Sequence, residues 1–203
     1  VEHIHIGKLM AMKLLSGEFA ADPGSVRRFR REAKAISKLT HPNTVQIFDF
    51  GESARLVYLV MEYLPGRDFG TVIQHEGPLP FARVAKICMQ VAASVSEAHD
   101  RGIIHRDIKP ENVMVLDTSV QRDFVKVLDF GIAQLREGEG LSSETQSGTV
   151  VGTPYYMAPE QRRGEAPSIQ AEVYGLGLVL YELFTGRRAR RDWPAPGCTP
   201  PAA

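Results

Sequence analysis

The chain has 203 residues, 43% hydrophobic and 24% charged, an ordinary globular mixture long enough for one large domain or two small lobes with a core. Lys plus Arg and Asp plus Glu each number 24, for a formal net charge of +0, which speaks against a general nucleic-acid or membrane-surface binder. The longest apolar run, "VYGLGLVLYELF", is too short to span a bilayer and the opening "VEHIHIGK" has no signal-peptide pattern, so a soluble, reducing, cytoplasmic setting is expected.

The N-terminal region reads as strands. "VEHIHI" alternates, Gly7-Lys8 signals a turn, and "LMAMKLL" resumes with period two, which places Lys13 within a strand. After the polar "DPGS", residues Val26, Phe29, Ala33 and Ile36 form one helical stripe with Ser25 as its expected N-cap. Glu32 projects beside that stripe, where a carboxylate needs a cationic partner from elsewhere in the fold. "HPN" breaks the helix, and "TVQIFDF" and "RLVYLVMEYL" read as two more strands around Gly51.

After Pro65-Gly66 the character changes. From Pro80 on, Val84, Ile87, Val91, Val95 and Ala98 recur at helical spacing, with Cys88, Ala92 and His99 filling the same face and a stop at Gly102. Cys88 and Cys198 fit no metal spacing, and Cys88 reads as a reduced core thiol. Two strands follow, "NVMVL" and "FVKVL", the second ending in Asp129-Phe130-Gly131. Residues 132–152 read as a Gly/Ser/Thr-rich loop, and a second apolar helix is expected from about Ala171 to Thr185. The tail has four arginines in residues 187–191 and then four prolines, and is expected to be irregular.

The chemistry concentrates in "HRDIKPEN", residues 105–112, where no core packing explains the charges. This turn, then "DFG" at 129–131 and "APE" at 158–160, with "AMK" on a strand and Glu32 on a helix, resembles the protein kinase motif set in its order. "GTPYYMAPEQ" and Lys109, two residues after Asp107, resemble serine/threonine rather than tyrosine kinases, with the flavour of bacterial eukaryotic-like enzymes, over roughly residues 1–186.

The resemblance implies an α+β, two-lobed kinase-like fold. Residues 1–64 would form part of a small antiparallel-sheet lobe, 65–186 part of a mainly helical lobe, and 187–203 an irregular tail. It implies transfer of the ATP γ-phosphoryl group to Ser/Thr hydroxyls of protein substrates, with magnesium and without nucleic acid. Asp107 would accept or orient the substrate hydroxyl and Lys109 would stand at the transferring phosphate. Asn112 and Asp129 would supply oxygens to magnesium, and Lys13, positioned by Glu32, would hold the α- and β-phosphates. Around the adenine, Met61 would border the back of the pocket, backbone groups of Glu62 and Leu64 would bond the base, and Ala11, Met114 and Leu128 would flank the ring. Arg106 could bind a phosphorylated loop, with Thr145 and Ser147 the first choices among Ser142, Ser143, Thr145, Ser147 and Thr149.

Departures from the pattern support a second reading, a weak or inactive kinase-like protein-binding module or a non-autonomous fragment. Only twelve residues precede Lys13 and they hold no GxGxxG, so "VEHIHIGK" reads as the second half of a hairpin cut in its middle. The absence of an initial Met points to a natural start elsewhere, and no further helices are legible in 187–203. The resemblance implies that Glu160 pairs with an Arg from that later part, with an arginine of 187–191 as the expected substitute. Glu172 stands where the family usually has an Asp bonded to the catalytic turn, and its extra methylene could displace His105 and Arg106.

Overall fold

The computed structural model describes residues 1–15, 22–53, 56–130 and 155–188. The Ser/Thr-rich loop, Gly131 of the "DFG" triplet and all but the first two residues of the tail lie outside that set, as do the readings that fall on them.

Strand β1 (Met10–Leu15) lies at one edge of an antiparallel sheet, β3 (Leu56–Glu62) at its centre and β2 (Ile47–Ser53) at the other edge. Val57, Leu59 and Met61 alternate onto one buried face of β3, and Val60 is also buried on the other. The β1–β3 register sets Ala11 opposite Met61 and Lys13 opposite Leu59. "VEHIHI" does not form the expected strand. Its only ladder contact is a bridge from Glu2 to Leu9, and residues 4–6 turn instead, with Gly7 at φ 62.

Helix α1 (Pro23–Ile36) buries Phe29, Ala33 and Ile36, the expected stripe. It starts earlier than the stripe suggests. Asp22, not Ser25, is the N-cap, its carboxylate accepting from the Gly24 and Ser25 amides. A carboxylate satisfies two orphan amides, and Pro23 suits the first helical turn.

A second three-stranded sheet, in the order β4 (Arg67–Asp68), β5 (Val113–Leu116), β6 (Phe124–Val127), sits beside the helices. Gly66 lets the chain approach closely, because a Cβ there would lie 2.4 Å from the Val115 carbonyl oxygen. Helix α2 (Phe69–Glu76) is capped by Asp68, and helix α3 (Phe81–Asp100) buries Val84, Ile87, Val91, Val95 and Ala98, the expected face. A short helix α4 (Pro159–Arg162) precedes helix α5 (Ile169–Thr185), which ends at Gly186 in the left-handed region.

The segment leading into β2 is stitched to β6 of the second sheet. Val45 N–H donates to the Val127 carbonyl and Val127 N–H to the Asn43 carbonyl, at 2.9 and 2.7 Å. Thr44 and Ser94 share a buried hydroxyl bond of 2.7 Å. A continuous core runs from Phe29 through Leu59 and Phe69 to Phe130 and Leu183.

Candidate active site

The "HRDIKPEN" turn is built around a buried imidazole. His105 is 0% exposed and packs against the Phe130 ring at 4.6 Å between centroids. Its Nε2 lies 2.7 Å from the Leu128 carbonyl oxygen, and its Nδ1 lies 3.3 Å from the Asp107 amide. Nε2–H therefore donates to Leu128 while Nδ1 accepts from Asp107, which requires the neutral ring. Burial accordingly pushes its pKa below the ordinary imidazole range, against the pull of nearby Glu172.

Arg106 holds the left-handed backbone at φ 72, costly for a non-glycine residue unless its surroundings fix it. Glu172 fixes it. Its Oε1 accepts from the Arg106 amide at 2.6 Å and its Oε2 meets His99 Nε2 at 2.5 Å. The longer Glu is thus absorbed by a second partner on α3, and the contact to the catalytic turn remains.

Asp107 faces two donors. Lys109 Nζ lies 2.6 Å from Asp107 Oδ2, and Asn112 Nδ2 donates to the same oxygen at 3.0 Å and to the Asp107 carbonyl at 2.7 Å. Leu128 N–H donates to the Asn112 carbonyl at 2.8 Å, so this bond places Asp129 one residue beyond Asn112's partner. Asp129 is left-handed at φ 56, and its Oδ2 meets Lys13 Nζ at 2.7 Å.

Because its amide nitrogen serves Asp107, Asn112 keeps its side-chain oxygen for another partner, and Asp129 adds a carboxylate. Both are hard oxygen donors of the type small divalent cations take. Among the described residues no cluster of three or more His, Cys, Asp or Glu forms a metal cage.

The expected Lys13–Glu32 pair is not the one formed. Lys13 meets Asp129, and Glu32 Oε1 faces Arg106 Nη1 at 3.8 Å. The physical reason is the turn at Asp129, which delivers a carboxylate to Lys13, while Arg106 offers Glu32 a nearer cation. The pairing of Glu32 is poor. Its Oε2 is buried without a hydrogen-bond partner, as is Arg106 Nε, and burial pushes the Glu32 carboxyl up despite the arginine. Among the described residues no tail arginine pairs with Glu160, and Arg190 and Arg191 of the expected cluster lie outside that set. Arg188 turns to Glu182 at 3.6 Å and stands over the Tyr155 ring, while Tyr156 donates to Glu182 at 2.5 Å.

The residues expected around a base lie on or beside strands of the two sheets. Met61 is buried, Ala11, Leu64 and Leu128 are half-buried against the core, and Met114 is half-buried on β5. Glu62 N–H donates to the Gln46 carbonyl at 3.0 Å, and Gly66 N–H to the Leu64 carbonyl at 2.9 Å. Among the described residues no acceptor takes the Leu64 amide. Sequence reasoning missed Lys126 and His99 as partners. Their signals were a lone lysine amid the apolar residues of "FVKVL" and a histidine on the core face of α3.

A small antiparallel sheet joined to a helical unit, with Asp107 clasped by Lys109 and Asn112 on the turn between them, is the arrangement of a protein-kinase-like fold. The match to known proteins agrees. The protein kinase domain family matches residues 1–192, and the chain belongs to that family. It is 42% identical over 185 residues to serine/threonine-protein kinase pkn3 of Myxococcus xanthus, covering 90% of this chain and 34% of that protein. It is 40% identical to serine/threonine-protein kinase PknB of Mycobacterium leprae, covering 90% of this chain and 29% of that protein. The chain therefore spans about a third of the length of these relatives. The crystal structure of the Mycobacterium tuberculosis PknI kinase domain, C20A mutant, superposes with a TM-score of 0.73 at 30% identity, covering 96% of this chain and 71% of that one.

Proposed function

We propose that this chain carries the catalytic centre of a serine/threonine protein kinase, transferring the γ-phosphoryl group of ATP to Ser/Thr hydroxyls of protein substrates in the cytoplasm. The observation that carries this reading is the Asp107 carboxylate, clasped by Lys109 at 2.6 Å and Asn112 at 3.0 Å on a turn anchored by buried His105. Phosphoryl transfer asks a protein for positioning and charge compensation rather than covalent chemistry, and this turn supplies both. Residues 1–64 and 65–186 are read as the two lobes between which the nucleotide lies.

Asp107 orients the substrate hydroxyl and takes its proton as the hydroxyl oxygen attacks the γ-phosphorus and the bond to the β,γ-bridging oxygen breaks, releasing ADP. Lys109, already at the Asp107 carboxylate, places positive charge where the transferring phosphoryl group gathers negative charge. Lys13 binds the α- and β-phosphates once it exchanges Asp129 for phosphate oxygens. Asn112 and Asp129 would hold magnesium, which when bound neutralises the β- and γ-phosphates. The Leu64 amide and the Glu62 backbone bond the base, with Ala11, Met61, Met114 and Leu128 around the ring. Glu32 is the residue that would take over Lys13 from Asp129. No described helix is long and apolar enough to cross a membrane.

The test is transfer of labelled γ-phosphate to a generic basic protein, read by phosphoamino-acid content. Asp107→Asn is expected to lower transfer by about 10²-fold or more, the range for losing a positioned base, with ATP binding retained. Asp129→Asn is expected to remove the magnesium dependence of ATP binding. Intact turnover in the Asp107→Asn protein would contradict the role given to that carboxylate.

A further inference from the structure

Lys126 has no part in the chemistry above, yet it is among the most buried charged side chains described, at 9% exposed. It lies at the centre of β6 between Val125 and Val127, both fully buried. Strand alternation sets it on the opposite face from those valines. In the β5–β6 register it stands directly across from Met114, and directly opposed residues of an antiparallel pair share a face. Lys126 is thus the cross-strand neighbour of Met114, one of the residues assigned to flank the base.

Its ammonium reaches in the other direction. Nζ donates to the Thr44 carbonyl at 3.1 Å and to Glu62 Oε1 at 2.6 Å. The same Glu62 oxygen accepts from the Gln46 amide at 2.7 Å, and the Glu62 amide donates back to the Gln46 carbonyl at 3.0 Å. Glu62 is therefore fixed at its backbone nitrogen and at its carboxylate, and the carboxylate's second donor is Lys126. Two residues on, the Leu64 amide has no acceptor among the described residues while the Leu64 carbonyl is taken by Gly66. One buried ammonium ties the segment offering base-recognition groups to β6, the strand paired with the one that bears Met114.

A buried charge is retained only where its partners are held in good geometry. Here the geometry has a consequence at a distance from the phosphates. We infer that Lys126 is a positioning residue for nucleotide-base recognition: it acts through Glu62 to hold the Glu62–Leu64 backbone in register with Met114. The inference rests on the kinase reading, and it separates the base subsite from the phosphate subsite of Lys13 and Asp129. Lys126 touches neither Lys13 nor Asp129 in any described bond.

Calorimetric titration of the full protein with adenosine, ATP and inorganic tripolyphosphate, each with magnesium, tests it. In Lys126→Met, adenosine and ATP are expected to bind about tenfold more weakly, the scale of one hydrogen bond to a charged group, with tripolyphosphate unchanged and discrimination between ATP and GTP reduced. Glu62→Gln removes the same ion pair while keeping an acceptor for the Gln46 amide, so it gives a smaller loss with the same pattern. It is the readout if Lys126→Met does not fold. Equal weakening of all three ligands would make Lys126 a merely structural residue and overturn the inference, as would unchanged adenosine binding. A wild-type protein that binds none of the three overturns the kinase reading along with it.

Discussion

Asp107 is held in place by a histidine that must not take a proton. His105 gives its Nε2–H to Leu128 and accepts the Asp107 amide at Nδ1, so a second ring proton would point at that amide and break the contact. Burial lowers the His105 pKa, which means the unfolded chain binds this proton more readily than the folded one. The stability it contributes is complete above about pH 6.5, the ordinary imidazole value, and is lost as pH falls through it towards the depressed folded value. Glu32 has the opposite sign, since burial raises its pKa and its contribution improves as pH falls towards the ordinary carboxylate range. In His105→Tyr, which keeps an aromatic ring against Phe130 without a proton to gain, melting temperature between pH 7.5 and 5.5 should decline less than in the wild type. Parallel declines would show that His105 does not set the acid sensitivity. The identities of His105, Asp107, Lys109, Asn112 and Asp129 were legible in the motif. The partner of Lys13 was not, because a choice between Asp129 and Glu32 depends on where a helix and a turn stand in space, and spacing along the chain does not carry it.

Among the elements, α3 and α5 meet the catalytic turn through Glu172. Its carboxylate spans His99 of α3 and the Arg106 amide at 5% exposure, so removing it strands two polar groups inside the protein. Glu172→Ala should cost about 1–3 kcal/mol, the penalty for leaving buried groups unpaired. His99→Ala should cost less, and the double variant should fall short of the sum, because the two side chains share one bond. Denaturant unfolding of all three variants gives the coupling, and strict additivity would mean the bond carries no stability. Long elements were readable where their periodicity ran on, as in the buried stripe of α3 and the central run of β3. Helix α2 escaped because eight residues, Phe69–Glu76, give barely two turns of pattern, and two-residue β4 has no periodicity at all. "VEHIHI" has the alternation of a strand, but the turn at residues 4–6 leaves it, among the described residues, only the bridge from Glu2 to Leu9.

Across the whole molecule, hydrogen bonds among Asn43, Val45 and Val127 hold the two sheets together, Lys13 comes from one side to meet Asp129 near Asn112 and Asp107 on the other, and the site proposed above for ATP with a divalent cation lies between them. Sequence pattern alone could name these residues and their order. It could not show that Lys13 and Asp129 already neutralise each other, an arrangement in which nucleotide phosphates must compete for the lysine. Binding to the folded state alone raises stability by mass action, so the claim is testable without any substrate protein. The measurement is a thermal-shift titration of the chain with ATP, with and without magnesium. A cooperative melt that rises with ATP only when magnesium is present is the predicted result. A melt unmoved by ATP under both conditions would contradict the assembled site.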